Sequence, residues 1–134
     1  MKKILIAAIL TMSSMNVLAG SVIVHPSNSS ALDNKAIKKI FLGKSKSFPG
    51  GGSVVPISLD DGSSGATTFN KGMLGKSSSQ LKSYWAKLVF TGKATPPQTV
   101  ANDAEMLALI SANPNMIGYI EGDGDASVKV VASF

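Results

Sequence analysis

Cysteine and arginine are both missing from this 134-residue sequence, and histidine and tryptophan occur once each. Without cysteine there is no disulfide framework, no thiol nucleophile and no lipidated N-terminal thiol, so the domain must stand on its apolar core. Without arginine there are no bidentate guanidinium forks to clamp a phosphate or read guanine, and any anion falls to backbone N–H groups, hydroxyls or lysine. His25 alone does not make a metal site, which needs several ligands brought together. No apolar run is long enough to span a bilayer. Thirteen Lys against eight acids give a net charge of +5, a mild basic excess with no nucleic-acid footprint in it.

What is present begins with an address. Lys2 and Lys3 precede an apolar stretch from Ile4 to Leu10, and Val17-Leu18-Ala19 puts small residues where a signal peptidase cuts. This pattern predicts a secretory signal peptide over residues 1–19, with cleavage after Gly20 as the alternative. The expected mature chain, residues 20–134, carries a charge of +3 because two lysines leave with the signal. It is long enough for one domain and too short for two of ordinary size. It is expected to be exported, with no membrane span after cleavage.

Along the chain, Ser21 to His25 reads as a β-branched strand stopped by Pro26. Asp33 is placed to cap a helix whose apolar face is Ala36, Ile37, Ile40 and Phe41, ended by Gly43, with Lys35, Lys38 and Lys39 off that face. Ser53 to Leu59 reads as a second strand, and Pro56 predicts an edge position or a local break. Phe69, Met73 and Leu74 predict a short helix stopping at Gly75. Ser77 and Gln80 form a capping box for the strongest helix, with Leu81, Tyr84, Trp85 and Leu88 as its buried stripe. Thr95-Pro96-Pro97 is a stiff connection. Asn102 and Glu105 cap a further helix with Met106, Leu107 and Ile110 on its inner face. Met116 to Glu121 and Val128 to Val131 read as a hairpin-like pair of strands across the turn Gly122-Asp123-Gly124-Asp125. The sum is a small two- or three-layer α/β domain.

Between the second strand and the short helix lies Asp60 to Phe69, reading Asp-Asp-Gly-Ser-Ser-Gly-Ala-Thr-Thr-Phe. Glycines and small hydroxyl residues entering a helix leave the first N–H groups unpaired at the positive end of the helix dipole, which favours an anion. The same residues also make an ordinary capped turn. Two Leu-Gly-Lys-Ser copies, Leu42 to Ser45 and Leu74 to Ser77, lack the glycine five residues upstream that a P-loop requires, because Lys38 and Asn70 stand there. Gly62-Ser63-Ser64-Gly65 lacks the spacing of a nucleophile elbow. With no cysteine, one histidine and no paired carboxylates, the chain is expected not to be an enzyme and to need no cofactor or metal.

Ile40-Phe41-Leu42-Gly43-Lys44, the Asp61-Gly62-Ser63-Ser64-Gly65 to Phe69 motif, Tyr84-Trp85, Phe90-Thr91-Gly92, Pro96-Pro97 and Ile117-Gly118-Tyr119 follow one another in an order and spacing that resembles the phosphate substrate-binding proteins of bacterial ABC transporters. The resemblance covers roughly residues 31–131. It implies an α/β fold, a single small lobe of the type II periplasmic-binding-protein kind with a mixed sheet flanked by helices. It also implies a periplasmic protein binding phosphate or a similar oxyanion for ABC-type uptake, with Ser63, Ser64, Gly65 and Thr67 as the ligand-facing residues. The sequence departs from the family's loop in three ways: Ser64 looks inserted, Ala66 stands where a threonine would fall, and Ile57-Ser58-Leu59-Asp60 carries no arginine. Full-length proteins of this kind close two lobes on the ligand, so one lobe needs a partner for the second wall. A homodimer, an ABC permease or another envelope protein is the expected supplier. The alternative function is a non-catalytic envelope interaction or adapter protein that kept the lobe fold and lost transport.

Overall fold

Ser21–Val24 (β1) is buried at all four positions, as a strand with neighbours on both edges and layers on both faces must be. A computed structural model of the chain describes residues 20–134; the expected signal peptide lies outside the described residues. After β1 the chain runs through α1 (Asn34–Phe41), β2 (Val55–Leu59), α2 (Ser64–Phe69) with a π-helical turn continuing it over Asn70–Leu74, α3 (Ser78–Phe90), β3 (Gln98–Val100), α4 (Asp103–Ala112), β4 (Met116–Ile120) and β5 (Lys129–Ser133).

The five strands form one mixed sheet in the order β3-β2-β4-β1-β5. β2 runs parallel to β3 and β4, while β1 lies antiparallel between β4 and β5. The expected hairpin of the last two strands is therefore not formed. β1 sits between them, Ser21 facing both Ile120 and Ser133, because an apolar strand buried on both faces is satisfied only with a ladder on each side. Gly20 and Phe134 exchange two backbone hydrogen bonds of 3.0 Å, extending the β1–β5 ladder by one pair.

Pro56, expected at an edge or a local break, lies in an interior strand. The Val55 N–H points toward β4 and reaches the Asn115 carbonyl at 2.8 Å, so the nitrogen of the next residue points the other way, toward β3. Pairing with β3 begins only at Ile57. The N–H that proline lacks thus has no ladder to break.

Alternation along β4 places the helices on two faces. A Cβ on Gly118 would collide with the Met106 thioether of α4, so glycine lets α4 lie close to the sheet. The next residue, Tyr119, points oppositely into an aromatic cluster with Phe41 of α1, Phe69 of α2 and Phe134. The helix caps follow the sequence: the Asp33 carboxylate accepts from Ala36 N at 2.7 Å, Ser77 and Gln80 complete a reciprocal capping box, and the Asn102 side chain accepts from Glu105 N at 2.9 Å. The stripe of α3 is less deeply packed than its spacing predicts. Leu81 is buried, Tyr84, Trp85 and Leu88 are half-buried, and Phe90 is 92% exposed. The helix is tied down by the Tyr84 hydroxyl donating to the Leu42 carbonyl at 2.6 Å. Trp85 lies against Gly43, whose φ of 71° suits glycine.

Burial pushes the Tyr119 phenol up to about 12. The unfolded chain then releases this proton near its ordinary value of about 10 while the folded chain holds it, so stability falls as pH rises from about 10 to about 12. At pH 11 the difference is worth on the order of 1 kcal/mol. Thermal unfolding at pH 9 and pH 11 is expected to show that loss in the wild-type protein and a smaller one in Tyr119→Phe; equal losses in the two proteins would refute the assignment.

Candidate functional site

β2 ends at Leu59 and hands the chain to a turn held almost entirely by its own atoms. Asp60 N donates to the Val100 carbonyl of β3 at 3.0 Å, and Ser63 N donates to the Asp60 carbonyl at 2.9 Å. The Ser63 hydroxyl donates to that same carbonyl at 2.7 Å and accepts from Ala66 N at 3.1 Å, so Ser63 is the N-cap of α2. Thr67 N and the Thr67 hydroxyl both reach the Ser63 carbonyl, each at 3.2 Å. Of the four donors a helix start leaves over, those of Ser63 and Ala66 are thereby satisfied, and the Thr67 N–H makes the first bond of the helix itself. Those of Ser64 and Gly65 are not satisfied by the helix.

Over these two residues lies a carboxylate that sequence reasoning did not single out. The Ser64 hydroxyl donates to Glu121 Oε1 at 2.5 Å. The Glu121 stem covers Gly65 so closely that a Cβ there would stand 2.6 Å from Glu121 Cγ and 2.7 Å from Leu59 Cδ1. Gly65 is thus glycine for proximity. Glu121 follows the last residue of β4, and its position is fixed by its backbone: Glu121 N and Gly122 N donate to the two oxygens of Asp103 at 3.0 and 3.1 Å. The Ser21 hydroxyl holds the Gly122 carbonyl at 2.9 Å. Asp103 opens α4 and sits well there against the positive helix end.

The four residues nominated from sequence therefore come together in one turn, in different roles. Ser63 and Thr67 spend their hydroxyls on the cap and the helix backbone. Ser64 turns its hydroxyl toward the open side, to Glu121, and Gly65, buried under the Glu121 stem, keeps an N–H that the helix does not use. Asp60 and Asp61 are exposed beside them, and Asp60 to Asn70 contains no cation. Among the described residues there is no cluster of three or more His, Asp or Glu suited to a metal, and no helix is long and apolar enough to cross a membrane.

No family model and no curated protein matches the chain. Solved structures do. An ABC-type phosphate transport receptor from Vibrio cholerae superposes with a TM-score of 0.61 at 17% identity, over 84% of this chain and 45% of that one. A phosphate ABC transporter substrate-binding protein from Clostridium perfringens, solved with bound phosphate, superposes with a TM-score of 0.64 at 26% identity, over 84% and 44%. PstS from Borrelia burgdorferi gives a TM-score of 0.56 at 17% identity, over 76% and 40%. The chain spans less than half the length of each. Its five-stranded mixed sheet with helices on both faces is the α/β architecture of one lobe of a periplasmic binding protein. The chain is a short, single-lobe structural relative of the phosphate ABC transporter substrate-binding proteins.

Proposed function

We propose that the chain is an exported, periplasmic, non-catalytic module that binds phosphate or a similar oxyanion for ABC-type uptake, through Ser64 and Gly65 held in place by Ser63 and Thr67. The observation that carries this reading is the Glu121 carboxylate on the Ser64 hydroxyl. The turn already holds an oxyanion, supplied by the chain itself, at the start of the helix where the dipole favours one. The likeness in fold to a phosphate-bound protein supports the same reading.

A single lobe leaves one side of such a site in water, where charge-assisted bonds are worth far less than in a closed cleft. A millimolar dissociation constant follows. At ten times that concentration, phosphate stabilises the fold by about 1.4 kcal/mol, a shift of several degrees in melting temperature. Calorimetry and thermal melts in phosphate and sulfate are expected to show this shift, and Ser64→Ala is expected to abolish it. Neither heat nor stabilisation with any oxyanion would overturn the reading. A second copy of the chain or a permease component, closing the open side, would raise the affinity.

A second reading has its own observation. Phe90, 92% exposed, and Val89, 51% exposed, end α3 side by side, an apolar tip that suits an envelope adapter. A pull-down from envelope extract separates the two: recovery of transporter permease components supports uptake, and recovery of an unrelated envelope protein, lost in Phe90→Ser, supports the adapter.

A further inference from the structure

A cavity of about 280 Å³ lies between α3 and the face of the sheet that carries Tyr119, and Asp61 of the same turn borders it. Its volume is below the roughly 300–1,000 Å³ of pockets that enclose drug-sized molecules, so its ligand is small. Apolar atoms make most of the lining, with Trp85 and Tyr119 on one hand and Pro96 and Pro97 on the other.

Ser58 and Thr99 add hydroxyls to the lining, and three further polar groups decide what it can hold. Asn70 borders the cavity with only 8% of its surface exposed, and its amide forms no hydrogen bond with the described residues. Because no side-chain N or O among the described residues is both buried and unpaired, the Asn70 amide reaches solvent, and the cavity is the space it borders. At the first residue of a π-helical turn, its hydrogen-bonding capacity is open to whatever occupies the cavity. The other two groups are charged and exposed: Asp61, in the turn after β2, and Lys82, on α3, border the same cavity from different elements. The mouth therefore presents one charge of each sign, and the interior is mostly apolar with an amide and the Ser58 and Thr99 hydroxyls.

We infer that this cavity binds a small zwitterion of the amino-acid type. Its ammonium group faces Asp61, its carboxylate faces Lys82, and its uncharged side chain enters between Trp85 and the Pro96-Pro97 wall to reach the Asn70 amide. Opposite charges at the mouth and apolar walls inside match that distribution of charge, while a simple anion satisfies only Lys82 and a simple amine only Asp61. The inference stands apart from oxyanion binding at Ser64, and its test is run in phosphate-free buffer so that the two are judged separately.

Trp85 is the only tryptophan in the sequence; it lines this cavity and a neighbouring one beside Gly43, and Asp61 and Lys82, which line only this one, assign any change in its fluorescence. Titration with leucine, methionine and glutamine is expected to give a saturable change in emission with at least one of them. The N-acetyl and carboxamide derivatives of that amino acid are expected to bind about ten-fold or more weakly. Asp61→Asn is expected to weaken the free amino acid while leaving the N-acetyl form as it was, and Lys82→Gln to do the same for the carboxamide. Both substitutions are at exposed positions, and circular dichroism confirms that the variants fold. The proposal is overturned by the absence of any saturable change, by equal binding of the free and blocked forms, by charge variants that bind like the wild type, or by a response to glucose alone.

Discussion

Glu121→Ala is expected to bind phosphate about ten- to a hundred-fold more tightly than the wild-type protein. In the wild type the Glu121 carboxylate accepts the Ser64 hydroxyl at 2.5 Å and lies over Gly65, so an incoming oxyanion must first push a like charge aside. Two unit charges about 4 Å apart interact by about 4 kcal/mol at the effective dielectric of a protein surface and about 1 kcal/mol in water. Glu121 is exposed, so the realised gain lies between those limits, and ten- to a hundred-fold, about 1.4 to 2.8 kcal/mol, falls inside them. Charge and volume are separable. Glu121→Gln removes the charge and keeps an acceptor for Ser64, so its affinity is expected to fall between wild type and Glu121→Ala. Calorimetric titration of the three proteins checks the order. Affinity lowered in both variants would reverse the assignment, making Glu121 an acceptor for a proton carried by the ligand instead of its competitor.

Why Glu121 escaped sequence reasoning is a matter of distance along the chain. It meets Ser64 across 57 residues, and it does so only because β4 lies directly beside β2 in the sheet. The features legible in sequence were those that residues settle within three or four positions of each other. The Asp33, Ser77 and Asn102 caps and the Ser63 cap of the turn are all of this kind. The mixed sheet and the single-lobe architecture were legible through the motif order. β3 was not: Gln98–Val100 is three residues, none of them fully buried, and it is a strand because β2 offers it a parallel edge. Nor was the separation of β4 from β5, since Gly122 to Asp125 has turn chemistry whether or not the strands it joins are neighbours. Asn70 gave no local signal at all; its burial comes from the packing of the π-helical turn.

Phe69→Ala is expected to cost about 3–5 kcal/mol, a large part of the 5–15 kcal/mol that holds a domain of this kind together. Phe69 is fully buried. Its ring stacks on Tyr119 with centroids 3.8 Å apart and planes 9° from parallel. It meets Phe41 edge-on at 4.8 Å and Phe134 edge-on at 5.2 Å. Phe69 and Tyr119 each join α1, α2, β4 and the C-terminus, so the cavity left behind has walls that belong to several segments and does not collapse easily. The consequence reaches the candidate site. α2 has six residues, too few to be helical on their own, so the turn that carries Ser64 and Gly65 keeps its shape only while Phe69 pins the far end of the helix to β4. Urea unfolding followed by circular dichroism is expected to show the loss. Phe69→Leu, which keeps most of the volume, is expected to lose under half as much and to retain the stabilisation by phosphate. A Phe69→Ala variant as stable as wild type would mean that the aromatic cluster is not what holds the turn against the sheet.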